Sequence, residues 1–173
     1  MQWILIALAS LIGLVLLISI VGWMLPKGHV ASRTARFAAP ADQVYAVIAD
    51  LEHTADWWPQ IVAVERLADR GANAVWRQKM KHGTPLDLEV IEATPQQRFV
   101  TRIANDKLPF GGTWTYALTP DGDGCRVTVT ENGEVYNPIF RFLSRFAFGY
   151  TATMESYLEA LSDSFGHSVE FIA

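Results

Sequence analysis

No Lys, Arg, Asp or Glu occurs before Lys27 in this chain of 173 residues. The stretch 3–25, WILIALASLIGLVLLISIVGWML, is wholly uncharged, which excludes it from the wetted surface of an ordinary domain. As a helix it reaches about 34 Å at ~1.5 Å per residue, slightly more than the ~30 Å hydrocarbon core of a bilayer. Trp3 and Trp23 stand near its ends, where indole rings favour the headgroup boundary, and Pro26 stops it. A cleaved signal peptide is the competing reading. The run lacks a basic n-region, exceeds the usual ~7–15-residue apolar h-region, and is followed by no convincing A-x-A site. Residues 1–26 therefore read as a transmembrane anchor and 27–173 as one domain. Lys27, Arg33 and Arg36 follow the run closely, which predicts a single-pass protein of the inner (cytoplasmic) membrane with its domain in the cytoplasm. Gly13 and Gly22 are not at G-x-x-x-G spacing, so no helix-dimer seam is declared.

Other scarcities narrow the chemistry. Cys125 is the only cysteine, which excludes an intrachain disulfide and a thiolate metal cluster. The four histidines, His29, His53, His82 and His167, have neither H-x₃₋₅-H nor H-E-x-x-H spacing, so no metal site and no cofactor is expected. There is no P-loop, no G-x-S-x-G elbow and no internal repeat. The 14 basic residues are outnumbered by 18 acidic ones and form no stripe, so nucleic acid is not an expected partner.

What remains is a patterned domain. Residues 30–38 read as a strand, Pro40 opens an amphipathic helix over 40–51, and a helical turn over 54–58 ends at Pro59. Strands are predicted over 61–68, 73–81, 85–94, 97–104, 112–119 and 124–135, broken by glycine- and proline-bearing turns, which implies an antiparallel meander. Asn137-Pro138 then opens one long helix to about Phe165, with Leu143, Phe146, Tyr150, Met154, Leu158, Leu161 and Phe165 as its sheet-facing stripe. Gly149 inside that helix costs about 1 kcal/mol relative to Ala and calls for a close approach, a kink or room for a ligand.

The segments APADQVYAVIADLE, DWWPQIVAVE, GGTWTYALTP and RVTVTENGEVYNPIFRFLSRF, in this order, resemble the SRPBCC superfamily, the START and birch-pollen-allergen helix-grip proteins, and especially bacterial polyketide cyclase/dehydrase-like members. The resemblance covers 33–166. It implies an α+β fold in which a curved antiparallel sheet, here of seven strands, wraps around the C-terminal helix and leaves an apolar cavity. Around such a cavity we expect Trp57, Trp58, Trp76, Trp114, Tyr116, Phe146 and Tyr150, whose rings suit a flat or greasy ligand. Leu108 and Phe110, apolar residues in the turn 106–112, are expected as a lid at its mouth.

One polar residue stands out. Alternation along 127–135 puts Glu131 on the face of Val127 and Val129, and a carboxylate among apolar groups is a candidate for proton transfer, with Arg102 and Tyr116 as expected companions. A bulge at Gly133 or a salt bridge to an Arg would make it merely structural. Three functions stay open: a membrane-tethered binder of a hydrophobic small molecule (lipid, quinone or polyketide-like), a cyclase/dehydratase-like enzyme, or a regulatory module whose cavity is filled and whose surface binds another membrane protein.

Overall fold

The computed structural model describes residues 2–105 and 107–172. Helix α1 (Gln2–Met24) is followed by β1 (Gly28–Phe37), the short helices α2 (Ala41–Ala49) and α3 (Thr54–Trp57), and six strands. These are β2 (Ile61–Arg66), β3 (Val75–Met80), β4 (Leu86–Thr94), β5 (Arg98–Ile103), β6 (Phe110–Asp121) and β7 (Gly124–Val135). Then come α4 (Pro138–Leu143), a π-helical turn (Ser144–Phe148), α5 (Ala152–Ser164) and β8 (Glu170–Ile172). The sheet is antiparallel with strand order β2-β3-β4-β5-β6-β7-β1-β8.

Period-two burial fixes which face of the sheet is inside. In β7, Cys125, Val127 and Val129 are fully buried while Arg126 is exposed, and in β1 Ala35 and Phe37 are buried around exposed Arg36. Helix α5 lays Met154, Leu158 and Leu161, all fully buried, onto that face. Val44 and Ile48 of α2 close the same core.

Two features depart from the expected helix-grip plan. An eighth strand pairs Glu170–Ile172 with 34–36 of β1; its three residues are all exposed and so carry no burial alternation. The predicted long helix is broken into α4, the π turn and α5. Gly149 has φ 72° and ψ −174°, a region open essentially to glycine alone, and a Cβ there would meet nothing within 4 Å. The glycine therefore serves the kink and not a packing contact. Downstream of the break the predicted stripe is buried at Met154, Leu158 and Leu161, but upstream Phe146 turns outward, 62% exposed.

Helix α1 is not loosely strung to the domain. It packs against α4 through its C-terminal end, where Ile18, Ser19, Val21 and Gly22 are its covered positions and Leu25, just beyond the helix, is part-covered. Gly22 is required there, because a Cβ would stand 1.9 Å from the Pro138 carbonyl oxygen. Buried Arg141 donates to the carbonyl oxygens of Gly22 (3.0 Å) and Leu25 (2.9 Å), and also to those of Val135 and Tyr136. The last carbonyls of a helix lack internal partners and carry its negative dipole end, so a guanidinium is well matched to them.

Candidate functional site

Between the inner face of the sheet and α4–α5 lies a cavity of about 430 Å³. Its depth is built from inward positions: Leu86 and Leu88 of β4, Thr101 and Ile103 of β5, Tyr116 of β6, and Tyr157 of α5. Its exposed rim includes Pro109, Phe110, Glu134 and Phe140, which places the mouth at the end of the sheet where β6 begins, β7 ends and α1 leaves the domain.

Few polar groups interrupt this lining. The Tyr116 hydroxyl shares hydrogen bonds with Tyr157 and Thr101, and burial pushes both phenols well above the ordinary tyrosine value, so they stay neutral. Nearer the mouth Glu131 accepts from Trp114 Nε1 (3.1 Å) and, through its other oxygen, from His29 Nε2 (3.2 Å). A carboxylate only accepts, so the Nε2 proton is assigned to the side facing Glu131. The imidazole stacks on Tyr150 with ring centroids 3.8 Å apart. Gly133 leaves room for the pair: a Cβ there would meet the His29 ring at 2.3 Å and Glu131 at 2.7 Å.

Three groups of the lining residues have unused hydrogen-bonding capacity among the described residues. His29 Nδ1 and Trp58 Nε1 are buried without a partner. Gln78, 3% exposed, borders the cavity and its amide makes no hydrogen bond among the described residues. Buried polar atoms are rarely left so, and a ligand bearing a donor or acceptor would meet them.

The expected site residues divide clearly. Trp58, Phe110, Trp114, Tyr116, Glu131 and Tyr150 line the cavity. Trp57 packs behind, edge-on to Tyr157 at 5.2 Å, and Trp76 packs against the core with the Arg66 guanidinium 5.1 Å from its ring centroid; neither borders the cavity. Phe146 points outward for the reason given above. Leu108 is no lid: it is 7% exposed and buried under the turn, whereas Phe110 is the first residue of β6 and stands at the rim. Arg102 is on the outer face, because Thr101 and Ile103 take the inward positions of β5, and it pairs there with Glu89 (2.8 Å). Tyr116 is inside but not bonded to Glu131; the companions are Trp114 and His29.

His29 escaped the sequence reading. It falls in the stretch ahead of the predicted strand, yet it keeps the two-residue period of Ala31, Ala35 and Phe37, which was the available signal. Among the described residues no three His, Cys, Asp or Glu side chains converge as a metal site would require.

No curated protein matches the chain. Solved structures do resemble it. A START superfamily protein from Mycobacterium smegmatis is 21% identical, with TM-score 0.63 over 79% of this chain and 96% of that one. TTHA0849 from Thermus thermophilus is 25% identical, with TM-score 0.62 over 79% and 94%. Norcoclaurine synthase from Thalictrum flavum is 16% identical, with TM-score 0.63 over 80% and 86%. The fold is thus the START-like helix grip. A family model described as polyketide cyclase / dehydrase and lipid transport matches residues 29–165, from the imidazole at the cavity wall to the end of α5, and the chain belongs to that family.

Proposed function

We propose that this protein is a membrane-anchored binder of a hydrophobic small molecule of lipid, quinone or polyketide-like chemistry, with residues 1–26 as the anchor and 27–173 as the binding domain. The observation that carries the reading is the open, mainly apolar cavity whose lining includes a few polar side chains, the Glu131–His29 pair and, on β3, Gln78. A family whose description joins cyclisation, dehydration and lipid transport agrees with a hydrophobic ligand or a cyclase-like role. Helix α1, the one described helix long and apolar enough to cross a membrane, supports the anchor, and Lys27, Arg33 and Arg36 beyond it support a cytoplasmic domain at the inner membrane. An open cavity argues against a purely regulatory module with a filled core.

A second reading has one specific observation in its favour. The Glu131–His29 pair is a carboxylate and an imidazole at hydrogen-bond distance inside an apolar cavity, the arrangement a cyclase or dehydratase would use for proton transfer.

Native mass spectrometry of the full chain taken from its own membrane tests the first reading. One apolar molecule per chain is expected, and it should be lost from Leu88→Trp, which fills the cavity. A chain carrying nothing, or a bound mass indifferent to Leu88→Trp, would overturn it.

A further inference from the structure

The face of the molecule around the C-terminal end of α1 combines three independent features. First, α4 is fixed alongside the C-terminal end of α1 by the Gly22–Pro138 contact and by the two hydrogen bonds that Arg141 gives to the Gly22 and Leu25 carbonyl oxygens. If α1 crosses a bilayer, its length of about 34 Å exceeds the ~30 Å hydrocarbon core by less than one turn, so its last turn reaches the boundary between hydrocarbon and headgroups of one leaflet. The fixed geometry holds α4 at the same depth.

Second, α4 and the π turn are apolar on their free side. Phe140, Phe146 and Phe148 are 51%, 62% and 69% exposed, with Ile139 beside them. No acidic residue occurs between Glu134 and Glu155, and the exposed charge of the segment is the cation Arg145. Exposed aromatics with a basic residue and no acid are the composition of a segment lying in a lipid interface. Third, the cavity mouth is bordered by Phe140 of the same helix and by Phe110 across from it.

We propose that residues 138–148 lie in the headgroup layer of the bilayer, phenylalanines on the lipid side, and that the cavity mouth opens onto that layer, so that an apolar ligand of lipid chemistry moves between bilayer and cavity without crossing bulk water. This rests on the reading of α1 as a membrane anchor. The bilayer is the occupant that fits the patch, because the patch is continuous with a helix whose remaining surface is apolar and exposed throughout.

Depth-dependent fluorescence quenching tests it. Cys125 is fully buried and its thiol is pushed up to about 11 by burial, so cysteines introduced elsewhere label selectively. Phe146→Cys, Phe148→Cys, Phe110→Cys and Asp123→Cys are each labelled with an environment-sensitive fluorophore. The full chain is reconstituted in vesicles of phosphatidylcholine and phosphatidylglycerol, with and without nitroxide-bearing lipid. Asp123 is the reference, at the β6–β7 turn on the opposite end of the sheet from Phe110. Labels at 146, 148 and 110 should shift to the blue and be quenched at least about twofold more than the label at 123. Quenching at 146 and 148 no greater than at 123, with the chain retained in the vesicles, would overturn the immersed segment. Quenching at 146 and 148 but not at 110 would overturn the membrane-facing mouth. Release of the chain from the vesicles by alkaline carbonate would overturn the anchor and this inference together.

Discussion

The guanidinium of Arg141 and the carbonyl oxygen of Gly22 are 3.0 Å apart, 119 residues apart in the chain, and one Arg141 nitrogen reaches both Gly22 and Leu25. Arg141 is 4% exposed, and all its described hydrogen bonds go to backbone carbonyls, two of them at the end of α1. This contact makes the orientation of the domain relative to α1 a property of the fold and not of a linker.

Arg141→Leu should release that orientation. It leaves buried carbonyls without donors, at about 1–3 kcal/mol for each that water does not reach. Trypsin cleavage after Lys27, whose carbonyl oxygen accepts from Val135 N (2.9 Å), should accelerate at least about tenfold, as about 1.4 kcal/mol of lost local stability implies, while the sheet signal in circular dichroism persists. An unchanged cleavage rate would remove Arg141 as the clamp.

The sheet was largely legible because alternation is a local signal. Val127, Val129 and Glu131 read inward from sequence and are inward in the structure. The same rule, applied to Phe99, Thr101 and Ile103, would have sent Arg102 outward. Long-range geometry was not legible: nothing near Glu131 in sequence announces that β1 lies beside it and brings His29 within reach. Nor does a glycine in a helical pattern declare that its ψ will be extended, as at Gly149, or that Arg141 will turn from solvent to the end of a helix.

Leu108 and Phe110 should respond differently to truncation. Leu108→Ala removes buried methyl groups and should cost ~2–4 kcal/mol in chemical denaturation, in the range of core truncations. Phe110→Ala, at a half-exposed rim position, should cost less than about 1 kcal/mol and alter uptake of an apolar fluorescent probe. Equal costs would contradict the division of the turn into a buried and a rim residue.

Arg102→Ala tests the outer face. Glu89 is 2% exposed, and hydrogen bonds from Asn73 (2.7 Å) and Arg102 (2.8 Å) hold its carboxyl below the ordinary value of 4.5. A depressed carboxylate contributes stability above its unfolded value and loses it as pH falls through the folded value. Half of Arg102 is in solvent and Asn73 remains, so the variant should lose only about 1–2 kcal/mol at neutral pH. The deficit should shrink below pH 4.5, and probe binding should be unchanged at all pH values where the protein is folded. A binding loss would return Arg102 to the site.

Glu131→Gln separates binding from catalysis. The amide oxygen still accepts from Trp114 Nε1, while the amide nitrogen faces His29 Nε2, which accepts once its proton moves to Nδ1. The polar wall is thereby kept and its capacity to carry a proton between carboxylate and imidazole is removed. A binder should lose no more than ~1–2 kcal/mol of affinity for its ligand, the worth of one charged hydrogen bond exchanged for a neutral one. An enzyme should retain binding and lose roughly 10²–10⁴ in turnover, the usual size of a general acid–base contribution. His29→Gln provides the reciprocal arm, since a proton-transfer pair should fail with either member removed, whereas a binding wall should tolerate both. Because the polar atoms are few in an apolar cavity, we expect the binder's result: ligand retained in both variants, with affinity shifted by no more than about thirtyfold, read by native mass spectrometry and by displacement of an apolar probe.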